Sequence, residues 1–224
     1  MVKDRPLRDL ADRLRGHKPF TLSRWGDNEW HCLFGEQNGY MPKDGYFYFY
    51  EMQNNLWAAL NNRPSYCLGL STQDERAWAT IKACELQRLD WGVDHFGTMP
   101  ADAPEFDLIL AAVKAKPLVV VGPPHFRHLK AALGYAAFVD VPPKNAYVCR
   151  EHLVRETLAA LEDFKEPALV SISAGVCAPL LIDDLFKSVG KFHQLVDFGG
   201  LWDAIKEKSC PKHGCVPTNN GGCI

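Results

Sequence analysis

Residues 168–185 read ALVSISAGVCAPLLIDDL. Ala168–Ser173 is a run of strand length without a charged residue, and Ala174-Gly175 breaks it. A helix begins near Ala178, with Leu181 and Leu185 on one face of a 3.6-residue period. An apolar strand passing through a small-residue turn into an amphipathic helix is the building unit of a parallel sheet covered by helices.

The same grammar recurs on both sides of that stretch. Phe20–Trp25, Tyr66–Leu70, Leu118–Val121, Phe138–Val141 and Gln194–Phe198 are further short apolar runs, several ending in Gly, Pro or Ser. Helical spacing appears between them at Met52/Leu56/Leu60, Trp78/Ile81/Ala83–Cys84, Phe126/Leu129/Leu133 and Val154/Leu158/Leu161. An amphipathic helix carrying Leu7, Leu10 and Leu14 precedes the first strand and ends near Gly16. Gly45–Tyr50 reads as an aromatic loop that turns helical toward Glu51. The pattern predicts one α/β domain over residues 1–208, a mainly parallel open sheet with helices on both faces in the Rossmann-like manner. Residues 209–224 (SCPKHGCVPTNNGGCI) have no periodicity and read as an appendage.

Composition narrows the class. Across 224 residues, 47% are hydrophobic and 23% charged, a globular balance that excludes disorder for the bulk of the chain. Twenty-five basic residues against 27 acidic ones leave a net charge of -2, which argues against a general nucleic-acid binder. No apolar run approaches the ~20 residues of a membrane helix, and the opening MVKDRPLRDLADRLRGHKPF lacks the apolar centre of a secretory signal. Five of the eight cysteines (Cys32, Cys67, Cys84, Cys149, Cys177) sit singly in apolar surroundings, as small core residues do. These features predict a reduced, cytoplasmic protein. Cys210, His213, Cys215 and Cys223 in the tail are potential zinc ligands, but His213 and Cys215 stand closer than structural zinc sites favour, so a frayed tail is the preferred reading.

In an open parallel sheet, ligands gather beyond the carboxyl ends of the strands. The first such end is Ser23-Arg24-Trp25-Gly26-Asp27-Asn28-Glu29. Asp27 and Glu29 are hard oxygen ligands two residues apart, a spacing that lets both share one divalent cation such as Mn²⁺ or Mg²⁺. That cation can hold a diphosphate, with Arg24 as a second, fixed positive group. The competing reading makes Asp27 or Asn28 the cap of a helix starting near Trp30.

Further strand ends supply ligand candidates. Gly122, before Pro123-Pro124-His125, opens a turn whose N–H groups suit a phosphate, and His125 adds a donor, although the prolines remove two. Ser173 and Gly175 enter the helix near Ala178, where either phosphate contact or tight strand–helix packing explains the small residues. Lys144 supplies a mobile charge, Asn145 an amide and Tyr147 a ring. Asp197 and Asp203 flank Gly199-Gly200: Asp197 is a general base, a neighbour of the metal or an Asx turn, and Asp203 reads as an exposed helical residue. Neither a G-x-G-x-x-G fingerprint nor a G-x-S-x-G elbow is present.

RWGDNEW resembles the R-aromatic-G-D-x-E signature of bacterial glycosyltransferases with the GT-D fold. VVVGPPHF, FVDVPPKNAYV, LVSISAGVCAPLLIDDL and LVDFGGLWD are similar to the family's C-terminal half in order and spacing, so the resemblance spans about residues 20–205. Trp25 replaces a more usual Tyr or Phe and Asn28 a more usual Gly; neither change removes a ligand. The resemblance implies transfer of a sugar from a nucleotide-diphosphate donor, a UDP-sugar foremost, to a hydroxyl acceptor on a glycan or glycoprotein. It implies Asp27 and Glu29 at the metal, Arg24 and Gly26 with them at the diphosphate, and the Lys144 neighbourhood beside the donor pocket. Two alternatives stay open: a phage-type enzyme acting on hydroxylated DNA bases, and a nucleotide-sugar-binding protein without turnover. A homo-oligomer is compatible with either.

Overall fold

The computed structural model describes residues 7–36, 50–61, 66–70, 75–83, 89–92, 96 and 99–205. The Cys/His tail, Gly45–Phe49 and Cys84 lie outside them. Helix α1 (Leu7–Arg15) leads into strand β1 (Phe20–Trp25), which turns directly into α2 (Asp27–Leu33). Then follow α3 (Tyr50–Asn61), β2 (Cys67–Leu70), α4 (Glu75–Ala83), β3 (Leu89–Gly92) and α5 (Pro104–Lys114). The second half runs β4 (Leu118–Gly122), α6 (Lys130–Leu133), β5 (Ala137–Asp140), α7 (Arg150–Leu161), β6 (Leu169–Ile172), α8 (Ala178–Val189) and β7 (Gln194–Asp197). Short 3₁₀ turns precede α6, α7 and α8, and a last one covers Leu201–Asp203.

Among the described residues all strand pairs are parallel, in a seven-stranded sheet of order β3-β2-β1-β7-β6-β4-β5. Alternation along each strand sends residues to opposite faces. Val119 and Val121 join a core with Trp25, Trp30, Leu56, Ile81, Leu153 and Leu181, beneath α2, α3, α4, α7 and α8. Leu118 and Val120 join the opposite core with Leu10, Leu14, Phe106, Ile109, Leu133 and Trp202, beneath α1, α5 and α6. Helices therefore cover both faces, as the sequence predicts. Each fully buried Leu or Val there contributes roughly 1.5–3 kcal/mol relative to exposure.

Two elements differ from the reading of the sequence. Strand β3 was not anticipated; it pairs with β2 over a register shift between Leu68 and Gly69. Helix α5 was not anticipated either. Its run Leu108–Val113 hides the period because Leu108 and Leu110 pack at the core margin beside fully buried Phe106, Ile109, Ala112 and Val113. Pro104 at its first turn starts it. No described helix is long and apolar enough to cross a membrane.

The strand order also fixes where a ligand fits. The chain leaves β4 toward β5 on one side and leaves β6 toward β7 on the other. Their carboxyl ends, Gly122-Pro123 and Ser173-Ala174-Gly175, therefore diverge around a crevice.

Candidate functional site

A cleft of about 500 Å³ opens at the carboxyl edge of the sheet. Arg24, Asp27 and Glu29 line it together with Ser173, Gly175, Asp197 and Asp203, among others. A second cavity of about 210 Å³ adjoins it, holding His125, Lys144, Asn145 and Tyr147. Pro123, Ser173 and Gly175 border both.

The Arg24–Glu29 turn is built rigidly. Trp25 and Trp30 are fully buried with ring centroids 5.6 Å apart, and Trp30 Nε1 donates to Trp25 O at 3.2 Å. Across α2's far end, Gln53 Nε2 and Trp57 Nε1 of α3 donate to Leu33 O at 2.9 and 3.1 Å. The N-cap of α2 is Gly26, not Asp27 or Asn28. Glu29, third in the helix, turns back and accepts the Gly26 N–H at 2.8 Å. The helix starts at Asp27 rather than near Trp30, which leaves the Asp27 carboxylate exposed in the first turn without a capping role.

Charge is concentrated behind that turn. Burial pushes Glu29 above the usual carboxylate range, opposed by Arg24 and by backbone N–H groups. Burial likewise pushes Asp197 up to about 7, with Arg24 opposing and Glu29 adding to the rise. The Arg24 guanidinium sits over the Phe96 ring at 5.9 Å. Two acids, Asp197 buried and Glu29 half-buried, share one arginine.

The remaining candidates divide. Ser173 Oγ donates to Gly199 O at 2.7 Å, so its proton is committed within the protein. Gly175 has φ +54° with nothing within 4 Å of a built Cβ; its glycine answers a left-handed backbone, not tight packing. At Gly122 a Cβ would meet Phe126 at 2.9 Å, and the residue borders neither cavity. Its smallness serves the packing of Phe126. His125 Nε2 lies 3.1 Å from Asp203 Oδ1, joining the rims of the two cavities; Asp203 is exposed, in a 3₁₀ turn. Asn145 takes the left-handed conformation at φ 56°, which Asn tolerates. Tyr147 is partly engaged already: its hydroxyl accepts from Asn55 Nδ2 at 2.8 Å, and Arg150 lies 5.6 Å over its ring.

Sequence reasoning missed the part played by Gly199. A Gly-Gly pair by itself suggests flexible chain, whereas Gly199 is latched on both sides and faces Arg24. A glycine shortly after a strand end was the available signal; its partner, distant in sequence, was not.

The donor chemistry suits a hard divalent cation. Among the described residues no three His, Cys, Asp or Glu side chains converge on one point. A cation here would take one or two protein carboxylates and draw its other ligands from a diphosphate and water, as Mg²⁺ commonly does. Exposed Asp27 is free to meet that need, and Glu29 has one oxygen already spent on Gly26. Both stand in the first turn of α2, so the extended-backbone spacing that would put the two carboxylates on one side does not apply.

No protein-family model matches the chain, and no curated protein matches it. Three solved structures do. A domain of unknown function 1792, described as having a distinct glycosyltransferase fold, superposes with a TM-score of 0.65 at 17% identity, over 93% of this chain and 82% of that one. A new glycosyltransferase of the same domain type from Streptococcus sanguinis gives 0.65 at 16% identity, over 93% and 85%. A selenomethionine form of the domain gives 0.60 at 17% identity, over 91% and 85%. At that identity the likeness establishes a shared fold.

Proposed function

We propose that this protein is a glycosyltransferase that moves a sugar from a nucleotide-diphosphate donor, a UDP-sugar foremost, to a hydroxyl acceptor on a glycan or glycoprotein. One observation carries the reading: a half-buried arginine and an exposed first-turn aspartate stand together in a cleft at the carboxyl edge of the sheet, beside the crevice between β4 and β6. Arg24 offers a fixed positive charge to the diphosphate and stabilises the charge that grows as the sugar–phosphate bond breaks. Asp27 and Glu29 are the residues that would hold Mn²⁺ or Mg²⁺, whose charge further neutralises the departing nucleotide. Glu29 also closes the α2 N-terminus by accepting the Gly26 N–H at 2.8 Å. Lys144, Asn145 and His125 line the adjoining cavity, where the rest of the donor would lie. The fold shared with a solved glycosyltransferase supports the reading.

The test is a panel of nucleotide-sugars incubated with the protein, with and without Mn²⁺. Metal-dependent release of free nucleotide is the expected result. A nucleotide-sugar that raises the melting temperature without any release would instead identify a binding protein.

A further inference from the structure

Gly199 follows β7 with φ +52°, and a Cβ built on it would lie 1.7 Å from Arg24 Nη1 and 2.9 Å from Arg24 Cζ. The guanidinium therefore rests against the backbone of this one residue. That residue is itself clamped. Its N–H donates to Asp197 Oδ1 at 2.9 Å, and its carbonyl accepts from Ser173 Oγ at 2.7 Å. Both polar groups of Gly199 are thereby committed to the ends of the neighbouring strands β7 and β6.

Arg24 Nε is buried with no hydrogen-bond partner among the described residues. Contact and charge orient its plane: Phe96 lies at 5.9 Å, Glu29 and Asp197 interact with it through their charge, and Gly199 supplies the floor. Planar guanidinium recognition of phosphate oxygens depends on that orientation. A displacement of about 1 Å is enough to lose most of such an interaction.

We infer that Gly199 is a positioning residue: its missing side chain is the seat of the Arg24 guanidinium, and the Asp197–Gly199–Ser173 latch fixes that seat, so that Arg24 meets the donor diphosphate in one orientation. The inference rests on the assignment of Arg24 to the diphosphate made above. A methyl group at position 199 strikes the far end of a flexible side chain, which moves aside. The strain of a non-glycine residue at φ +52° is the same with or without Arg24, so the difference between the two backgrounds reports the seat. Removing the Ser173 hydroxyl frees the latch without adding bulk.

Calorimetric titration of UDP with Mn²⁺ into the full chain tests this, using Gly199→Ala, Ser173→Ala, Arg24→Ala and the double variant Arg24→Ala/Gly199→Ala. Gly199→Ala should weaken UDP binding by ~tenfold or more, and Ser173→Ala should weaken it less. In the Arg24→Ala background, Gly199→Ala should weaken binding further by less than about twofold, because the group it displaces is gone. Melting should follow the same logic, with the loss from Gly199→Ala smaller once the guanidinium is removed.

If Arg24→Ala weakens UDP binding while Gly199→Ala binds like wild type, the seat is wrong and the site assignment stands. An equal loss from Gly199→Ala in both backgrounds means general damage to the loop and overturns the inference. If the wild-type protein does not bind UDP at all, the site assignment fails and the inference falls with it, whatever the melting curves show.

Discussion

Asp27 and Glu29 lie two residues apart and do unequal structural work. Asp27 is exposed in the first turn of α2 and caps nothing. Asp27→Asn should shift stability by no more than the helix-dipole contribution of about 0.3–1 kcal/mol, while nucleotide release falls severely. A thermal melt and a release assay on one preparation check both halves. If release stays at the wild-type rate, the metal assignment to Asp27 is wrong, and helix capping cannot replace it because Gly26 holds the cap position. Glu29 behaves differently. Glu29→Ala strips the acceptor from the Gly26 N–H, bonded at 2.8 Å, and should destabilise by ~1 kcal/mol in addition to its effect on release. Unchanged stability in urea would show that water replaces the carboxylate without penalty.

Among elements, the join between α1 and the sheet depends on one amide. Gln194, fully buried at the start of β7, donates through Nε2 toward Arg13 O, Gly16 O and Lys18 O at 3.1, 2.9 and 3.0 Å. Its Oε1 accepts from Lys116 Nζ at 2.8 Å, and the same ammonium reaches Gly16 O at 2.7 Å. The carbonyls at the end of α1 thus find their partners across the sheet. Gln194→Leu keeps the approximate volume but takes the amide donor from all three carbonyls. Gly16 O keeps Lys116 Nζ and Arg13 O keeps the Gly16 N–H, so the loss falls on Lys18 O and on the ammonium's partner, and the change should cost about 1–3 kcal/mol by urea denaturation. A loss near zero would mean that solvent reaches this end of the helix.

The neighbouring His193 gives β7 a pH dependence. Its Nδ1 accepts the Ala168 N–H at 3.1 Å, and burial lowers its pKa below the ordinary histidine value of 6.5. The unfolded chain therefore takes up this proton more readily than the folded one. The contribution is fully present above the unfolded pKa and is lost as pH falls through the lower, folded value. His193→Asn, which keeps an acceptor but cannot titrate, should make the decline in stability between pH 7 and pH 5 shallower than in wild type. Parallel declines would remove His193 from the account.

For the whole molecule, the cleft depends on β1, β4, β6 and β7 ending together at one edge of a parallel sheet. Arg24, Ser173 and Asp197 come from three of those ends, and no local segment could assemble them. The Cys/His tail is expected to add nothing to this framework. Removing residues 209–224 should leave the melting temperature and nucleotide-sugar binding unchanged. Stoichiometric zinc in the purified protein, with a drop in melting temperature after chelation, would refute that expectation.

The sequence by itself determined the α/β class, because uncharged runs and 3.6-residue spacing report which faces are buried. It located β1 to the residue and the other anticipated strands to within one or two. It also brought Arg24, Asp27, Glu29, Ser173, Gly175 and Asp197 forward as strand-end residues, and all six line one cleft. Local patterning could not supply β3, whose Leu89-Asp90-Trp91-Gly92 is not an apolar run, or α5, whose apolar face spreads too widely to show a period. Nor could it show that Glu29 rather than Asp27 serves the helix end, since both residues suit a first turn and only backbone direction separates them. The strand order, the switch between β4 and β6, and the contact of Gly199 with Arg24 were decided by tertiary structure alone. Periodicity records that a residue faces inward; which distant residue it meets depends on how the strands pair and how closely their ends pack.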